Sequence, residues 1–503
     1  HILLLQDELL VKNTVGVIEE DHINAEWAFD KAISEIKRSF SRINQAYFQE
    51  RKYDINYIEN AVQRDLMGLT QEFFQKIRKK SLIVAPDLSP AETLHLIRYR
   101  VGGFATETGG ANSHTAIVAR SLEIPYVIGV EGIVKGINDG DMLVIDAGKG
   151  IVIANPTAKE LAGYRKRQKK QIVTGQQMKK EAKLEAITLD GQTVKILANM
   201  EFVDEIEGIK ECGTHGVGLY RTEFLFLERP HLPDEKEQEK IYRMVLKKLA
   251  PREVVIRTVD LGAEKLKPGS QYADQPNPAL GLRALRFCMR ERKIFTDQLT
   301  ALLRASREGN LKICFPMVSS LDEFRKAKKM LMDIKEDLQK KGVKVPENIG
   351  IGIMIETPAA VMEMDLLARE VDFFSVGTND LIQYLLAVDR TNELVSYLYT
   401  PLHPSVIRVL MQITSTAARF GKEVTLCGEM AADPMTLLLA IAIGFTRLSM
   451  NAASIPRIKK IIRSSTMEEA RKLLDKVLEG ETHRDNQKAV QSHMLEKFPE
   501  YFH

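Results

Sequence analysis

The spacing of apolar and polar positions divides the chain into regions of different character. In the first 80 residues apolar side chains recur every three or four positions, as at Ala25, Phe29, Ile33 and Ile36, and this period predicts amphipathic helices. Asp21 stands where an N-cap would start the helix that carries these residues. The pattern is more typical of a helical hairpin that only packs than of one that presents a docking surface.

From residue 81 short apolar runs replace the helical period. The run SLIVAP predicts one strand, and LVIDAGKGIVIANP, which starts at Leu143, predicts two strands joined by a glycine turn. We therefore expect a compact α/β domain over residues 81–156. Residues 157–185 are rich in Lys, Arg, Gln and Glu and predict an exposed connecting helix. Their basic run is more typical of a solvated linker than of an RNA-binding site.

Eight short apolar runs alternate with longer helical stretches in residues 186–503. A (β/α)8 barrel requires eight such units, and a doubly wound open sheet is the main alternative for the same pattern. The predicted fold class is therefore α/β, with a C-terminal (β/α)8 barrel, a small α/β domain and an N-terminal helical region. The eight predicted strands are KILANM (195–200), VGLYRTEF (217–224), EVVIRTVD (253–260), LKICFPMV (311–318), IGIMIETP (351–358), VDFFSVGT (371–378), EVTLCGEM (423–430) and FTRLSM (445–450).

Composition and charge exclude several classes of function. Of 503 residues, 44% are hydrophobic and 28% charged, which is enough for large cores and unlike a membrane composition. A net charge of +3 is too small to indicate nucleic acid or an anionic membrane as a partner. The longest apolar run, from Met435 to Phe445, is shorter than the ~20 residues that span a bilayer. Four cysteines without a CxxC pair favour a reducing, cytoplasmic compartment over zinc or a disulfide framework.

Polar side chains follow the predicted strands of the barrel, where the catalytic groups of such barrels lie. The carboxylates Glu356 and Asp380 predict a Mg²⁺ site, because this ion prefers hard oxygen ligands. Arginines bind phosphate and carboxylate in a bidentate manner, so several of them predict a small anionic substrate that carries phosphate. Taken alone, each arginine could form a surface ion pair, Glu356 could be structural, and Cys427 could be a core residue. The polar candidates at strand ends are Arg221, Arg257, Glu356, Asn379, Asp380 and Cys427, with Arg283 and Arg390 in loops.

A second candidate site is the segment GGANSHTAIVARSLEIP at 109–125. Gly109 and Gly110 allow a sharp turn, and Ser113 can cap the helix that follows. His114 would then lie in the first helical turn, where the partial positive charge keeps the imidazole neutral and favours a phosphate attached to it. The segment therefore predicts a transiently phosphorylated histidine, although a capped helix with an incidental histidine explains the same residues.

These motifs resemble a known family. The segment around His114 resembles the phosphohistidine signature shared by enzyme I of the bacterial sugar phosphotransferase system, pyruvate phosphate dikinase and phosphoenolpyruvate synthase. The resemblance to enzyme I extends over essentially all of the chain. Its further motifs, in order, are GVGLYRTEFLF, IRTVDLGAEK, NPALGLRALR, FPMVSS, GIMIETPAA, FFSVGTNDLIQYLLAVDRTN, LCGEMAADP and SIPRIKKIIR.

The resemblance implies a role for each candidate. His114 would carry the phosphate, Glu356 and Asp380 would bind Mg²⁺, and Cys427 would protonate the enolate to give pyruvate. Phosphoenolpyruvate would be bound by Arg221, Arg257, Arg283, Asn379, Asp380 and Arg390.

The resemblance also implies partners and domain roles. Phosphate would pass from residues 81–156, a swivelling phosphohistidine domain, to the carrier protein HPr docked on a partial helical domain at 1–80. The barrel at 186–503 would form a homodimer. No nucleic-acid partner and no membrane insertion are expected.

Two departures from the family pattern leave alternatives open. The chain lacks an initiator Met and begins inside the family's helical domain, so we expect the natural protein to extend further and the HPr-docking surface to be incomplete. The signature reads GGANSH where enzyme I often has GGRTSH, and such variants also occur in the nitrogen-regulatory branch. A dikinase or synthase would place a large ATP-binding domain before His114, where only about 80 helical residues stand. A non-enzymatic phosphoenolpyruvate sensor is the remaining alternative.

Overall fold

The computed structural model of the chain describes most of its residues. The described residues are 8–41, 62, 77–88, 93, 96, 99, 101–109, 115–116, 119, 124–226, 232–262, 277–390, 392 and 394–499. They separate into two compact units, His1–Ala162 and Gly163–His503, and the division falls inside the predicted connecting helix. The finer domain boundaries expected at residues 80, 156 and 185 stay predictions.

The first unit opens with a helical hairpin, α1 (Glu8–Asp21) and α2 (Ala25–Ser41). Phe29 and Ile33 of α2 pack against Leu10 of α1, as the helical period predicts. The predicted N-cap at Asp21 is wrong. Asp21 is the last residue of α1, and the side-chain oxygen of Asn24 instead accepts from the backbone N–H of Trp27, 3.2 Å away. A short loop separates the two helices, so the cap lies three residues later than expected.

Two small sheets follow in the same unit. Strands β1 (Leu82–Ala85), β2 (Gly103–Thr106) and β3 (Tyr126–Ile128) are parallel and lie in the order β1-β2-β3. Strands β4 (Leu143–Asp146) and β5 (Ile151–Ala154) form an antiparallel hairpin. These elements confirm the strands expected from SLIVAP and from the segment after Leu143. The basic segment forms α3 (Ala158–Glu181), as predicted.

The second unit is a closed barrel of eight parallel strands in chain order. The eighth strand pairs with the first through the register Leu448↔Ile196, which closes the sheet. The barrel prediction is therefore confirmed, and the doubly wound open sheet is excluded. The strands are β6 (Lys195–Met200), β7 (Gly216–Arg221), β8 (Glu253–Arg257), β9 (Asn310–Phe315), β10 (Gly350–Ile355), β11 (Phe373–Gly377), β12 (Glu423–Cys427) and β13 (Arg447–Met450).

Helices follow the strands and cover the outside of the barrel. Six of the described helices begin with a side-chain cap and a proline or capping-box residue, which explains why they start where they do. The described helices of this unit are α4 (Ile206–Glu211), α5 (Glu235–Leu249), α6 (Ala284–Arg290), α7 (Arg292–Ala305), α8 (Leu321–Lys340), α9 (Pro358–Met362), α10 (Met364–Leu367), α11 (Thr378–Leu386), α12 (Pro404–Arg419), α13 (Glu429–Ala432), α14 (Pro434–Ile443), α15 (Ile455–Arg463), α16 (Met467–Leu478) and α17 (His483–Lys497).

Along each strand, successive side chains point alternately outward to the helices and inward to the barrel interior. The outward-facing residues and the helices build one large hydrophobic core. A second, smaller apolar cluster holds residues from six consecutive strands and fills the middle of the interior. Its members are Leu219, Val255, Cys314, Met354, Phe373 and Cys427.

No helix within the described ranges combines the length and the apolar character needed to cross a membrane. All four cysteines lie in those ranges, are buried and form no disulfide.

Candidate active site at the barrel mouth

The strands deliver charged side chains to one rim of the barrel. Arg221 and Arg257 are the last residues of β7 and β8, and Cys427 is the last residue of β12. Glu356 follows β10 directly. Because all eight strands are parallel, their carboxyl ends share one side of the barrel, which we call the mouth.

Helix α11 brings two more of the predicted residues to this rim. It begins directly after β11, so Asn379 and Asp380 lie in its first turn. The positive end of the helix dipole favours the Asp380 carboxylate there. The Asn379 amide exchanges two hydrogen bonds with Glu429 at the start of α13: its Nδ2 donates to Oε1 (3.3 Å), and its Oδ1 accepts from the Glu429 backbone N–H (3.1 Å).

Both loop arginines reach Asp380. Arg283 precedes α6, and its Nη2 lies 3.5 Å from Asp380 Oδ2, while its Nη1 donates to the Tyr384 hydroxyl (3.1 Å). The Nη2 of Arg390 lies 3.9 Å from Asp380 Oδ1. The structure therefore brings the loop arginines to the strand-end residues, which strand ends alone could not predict.

Arg221 and Arg257 are held in place by carboxylates that the strand-end argument did not name. Arg221 donates to Glu201 Oε1 (2.6 Å). Arg257 is buried, and its guanidinium pairs with Glu223 (2.9 Å) and with Asp260 (3.0 Å). Glu223 and Asp260 lie within the motifs GVGLYRTEFLF and IRTVDLGAEK, so the motifs contained the signal, although their role as partners of an arginine was not readable from them.

Glu356 has a buried oxygen that the protein leaves unpaired. The side chain is 0% exposed, and its Oε1 accepts from the Met317 backbone N–H (2.6 Å). Its Oε2 has no hydrogen-bond partner among the described residues. Burial first, and then the charges of Asp260 and Asp380, raise the pKa of the Glu356 carboxyl to about 8. An unpaired carboxylate in such surroundings is costly unless a cation binds it.

The balance of charge at the mouth also fits a divalent cation. Four carboxyl groups are buried there, those of Glu223, Asp260, Glu356 and Asp380, beside the buried Arg257 and the mostly buried Arg283, and burial raises the pKa of the Glu223 and Glu356 carboxyls. The described residues contain no cluster of three or more acidic, His or Cys side chains arranged around a metal. Mg²⁺ does not need one, because it is commonly held by one or two carboxylates together with substrate phosphates and water.

Space around Glu356 depends on a glycine at the end of β11. A Cβ atom at Gly377 would lie 2.6 Å from Glu356 Oε2. Any side chain at this position would therefore displace the carboxylate that the mouth presents.

Cys427 lies at the inner edge of the mouth and is a member of the apolar cluster of the barrel interior. It is fully buried, and this burial raises the pKa of its thiol to about 12. The group therefore carries its proton at neutral pH, as a general acid must.

His114 lies outside the described residues, as do Gly110 and Ser113. The neighbouring residues are consistent with the predicted turn and helix. Gly109 adopts a positive φ of 123°, and Thr115, Ala116 and Ala119 are helical and buried. The Thr115 hydroxyl donates to the backbone oxygen of Leu88 (2.6 Å), which ties the start of this helix to the loop after β1.

Family models match three successive parts of the chain. Residues 1–51 match the N-terminal domain of PEP-utilising enzymes, residues 77–150 match their mobile domain, and residues 175–467 match their PEP-binding domain.

Characterised relatives match over almost the whole chain. A phosphoenolpyruvate-protein phosphotransferase of Bacillus sp. (strain S) is 41% identical over 95% of this chain and 83% of its own length. The protein of the same name from Haemophilus influenzae is 39% identical over 99% of this chain and 86% of its own length. The protein of the same name from Bacillus subtilis (strain 168) is 39% identical over 96% of this chain and 85% of its own length. The barrel and its charged mouth agree with these matches. The relatives and family models show that the chain belongs to the phosphoenolpyruvate-protein phosphotransferases, a family of transferases built from PEP-utilising enzyme domains.

Proposed function

We propose that this protein transfers the phosphoryl group of phosphoenolpyruvate to its own His114, releases pyruvate, and passes the phosphate to a histidine of an HPr-type carrier protein. The observation that carries the proposal is the mouth, where Glu356 Oε2 is unpaired within the described residues and the charges of Asp380, Arg257 and Arg283 act on this carboxyl. A site with buried carboxyl groups and partly exposed guanidinium groups at its rim suits a metal-bound phosphate ester. The names of the relatives support the same reaction.

In this proposal Glu356 and Asp380 hold Mg²⁺, which would supply positive charge beside the phosphate and the enolate oxygen. The partly exposed Arg221 and Arg390 bind the substrate's outer oxygens, and the Asn379 amide donates a hydrogen bond to the substrate from the first turn of α11. Arg257 and Arg283 line the inner wall, where their charge opposes the phosphate as it is transferred.

The chemical step is a displacement at phosphorus. An imidazole nitrogen of neutral His114 attacks the phosphorus, and the bond from phosphorus to the enolate oxygen breaks. The enolate carbon then takes the proton from Cys427, which yields pyruvate, and the thiolate regains a proton from solvent. A second displacement moves the phosphate from His114 to the carrier histidine.

Two further parts of the proposal concern assembly and location. Leu394 (83% exposed) and Tyr397 (74% exposed) lie in the segment after α11, and Leu280 is exposed in the turn before α6. A hydrogen bond from the Tyr384 hydroxyl of α11 to the Ala279 backbone oxygen (2.6 Å) joins that turn to the helix. We propose that this apolar surface pairs with a second copy, which size-exclusion chromatography with light scattering would test. Four buried cysteines without a disulfide suit a cytoplasmic enzyme.

The proposal is tested by incubating the chain with Mg²⁺ and phosphoenolpyruvate labelled in its phosphate. Acid-labile label is expected on the wild type and on a control variant, His483→Ala, and not on His114→Ala. Label should then move to added HPr. Label that forms but does not move would restrict the proposal to self-phosphorylation, and an unlabelled wild type would contradict it.

A further inference from the structure

We propose that Asp260 is a positioning residue for the transfer step, because its carboxylate sets the orientation of two arginines and, through one of them, of Asp380. This inference rests on the proposed function and extends it to a residue that would not touch the substrate itself.

Asp260 lies between two guanidinium groups. Its Oδ2 is 3.0 Å from Arg257 Nη1. On its other side Arg283 approaches in a two-pronged manner, with Nε donating to Oδ1 (3.0 Å) and Nη2 donating to Oδ2 (3.1 Å). The Asp260 side chain is 3% exposed, so water does not compete for these contacts. One buried carboxylate thus fixes the planes of both arginines.

Glu223 contacts both Asp260 and Arg257. A single oxygen of Glu223, Oε1, accepts from Arg257 Nη2 (2.9 Å) and from the backbone N–H of Asp260 (2.9 Å). The position of Asp260 is therefore determined by a second buried carboxylate, and the two acids and Arg257 form one rigid group at the end of β8.

Arg283 extends this group to the opposite wall of the mouth. Its Nη1 donates to the Tyr384 hydroxyl, and its Nη2 lies 3.5 Å from Asp380. Both partners belong to α11. The placement of Asp380 relative to Arg257 therefore depends on a chain of contacts whose centre is Asp260.

The charge of Asp260 shows that its role is to orient rather than to attract. A carboxylate beside two guanidinium groups weakens their attraction for an anionic substrate. A site that needed only affinity would lack it. Preorganised donors that need not move during the reaction are, in contrast, a large source of catalysis, and a small misplacement of them is expensive.

Replacing Asp260 with Asn should therefore separate binding from turnover. The amide keeps the shape but removes the negative charge and turns one acceptor into a donor, so the arginines become more attractive to an anion and less well oriented. The measurements are the rate constant of His114 phosphorylation at saturating phosphoenolpyruvate and the concentration that gives half this rate. We expect the rate constant to fall by about 10²-fold, as when one preorganised donor is lost, and the half-saturating concentration to stay equal or fall.

Two further variants make the result interpretable. Asp333→Asn changes an exposed carboxylate on α8 and should behave as the wild type. Arg283→Lys keeps the charge but cannot make the two-pronged contact, so it should reproduce the lower rate constant even if Asp260→Asn fails to fold.

The outcomes separate this inference from the function on which it rests. A wild type that does not phosphorylate His114 contradicts the proposed function and this inference together. A wild type that does, with Arg283→Lys and Asp260→Asn matching its rate constant, contradicts this inference alone. A raised half-saturating concentration with an unchanged rate constant would assign Asp260 to substrate binding instead, which also overturns it.

Discussion

The two ends of the barrel interior both contain charged side chains, but they are balanced differently. The closed end, at the amino ends of the strands, consists of Glu253, Lys312, Glu423 and Arg447. Arg447 bonds to Glu253 and to Glu423 (3.1 Å), and Lys312 bonds to the same two carboxylates at 2.9 and 2.8 Å. Two acids therefore meet two bases, and each acid contacts both bases. At the mouth, four buried carboxylates outnumber the buried guanidinium groups, and Glu356 Oε2 has no partner among the described residues.

This difference separates a structural network from a functional site. A buried ion network that is complete within the protein can only hold the strands together. A network with excess charge and an unpaired oxygen is costly in the protein alone and becomes favourable when a ligand completes it. The same division is general in (β/α)8 barrels, where the carboxyl ends of the strands carry the chemistry and the amino ends carry stability.

The largest effect is expected from Glu356→Gln at the mouth. The variant loses one of the two proposed metal ligands, and metal ions contribute several kcal/mol to such transition states, which corresponds to about 10³-fold in rate. Its melting temperature should equal or exceed that of the wild type, because a neutral amide replaces a buried carboxyl whose pKa burial raises to about 8. The measurements are labelling of His114 and calorimetric unfolding, with the exposed Glu347→Gln as the control. A large loss of stability would show that Glu356 is structural and would contradict the distinction between the two ends of the barrel.

The opposite pattern is expected from Arg447→Met at the closed end. Removing Arg447 leaves Lys312 to face both carboxylates, and the Glu423 side chain is 46% exposed, so the free energy of unfolding should fall by about 1–3 kcal/mol. The folded fraction should still phosphorylate His114 at close to the normal rate. Arg325→Met, which removes an exposed pair with Glu370, should cost at most about 1 kcal/mol. Chemical denaturation measures both, and a strong loss of activity in folded Arg447→Met would contradict the division of roles.

A smaller effect is expected from Cys427→Ala at the inner edge of the mouth. The raised pKa keeps this thiol protonated at neutral pH, so the variant lacks a general acid and should form pyruvate about 10²-fold more slowly. Stopped-flow detection of pyruvate measures this rate. Cys314→Ala removes a second thiol of the same apolar cluster and serves as the control. Equal rates for the two variants would remove Cys427 from the proposed mechanism.

The smallest effect concerns Glu205, beside the Glu201–Arg221 pair. Burial chiefly, and then the charge of Glu201, raise the pKa of the Glu205 carboxyl to about 7. A carboxyl whose pKa is raised in the folded state lowers stability as pH increases from its unfolded pKa to its folded one, and the cost persists above pH 7. Glu205→Gln should therefore raise the melting temperature by a few degrees at pH 8, and by little at pH 5. A gain of the same size at both pH values would contradict the assigned titration.

The sequence predicted the barrel because buried parallel strands are continuous apolar runs that end at a polar residue. The run KILANM matches β6 at 195–200, and the other seven runs overlap their strands with ends that differ by up to three residues. The same rule located most of the mouth, since the first charge after each run marks the carboxyl end of a strand. The wrong N-cap at Asp21 shows where local patterns fail: Asp21 and Asn24 are both good caps, and only the path of the loop decides between them.

The amino-acid sequence by itself thus determined most of the elements, their order and the strand-end residues of the mouth, because these follow from local periodicity and from the parallel arrangement that short strands and long helices impose. Only the tertiary structure decided which charges meet. Asp260 pairs with Arg283, 23 residues away, and Arg283 meets Asp380, 97 residues away. Barrel closure and the desolvation of each group decide which charges pair, and neither can be read from the spacing of residues along the chain.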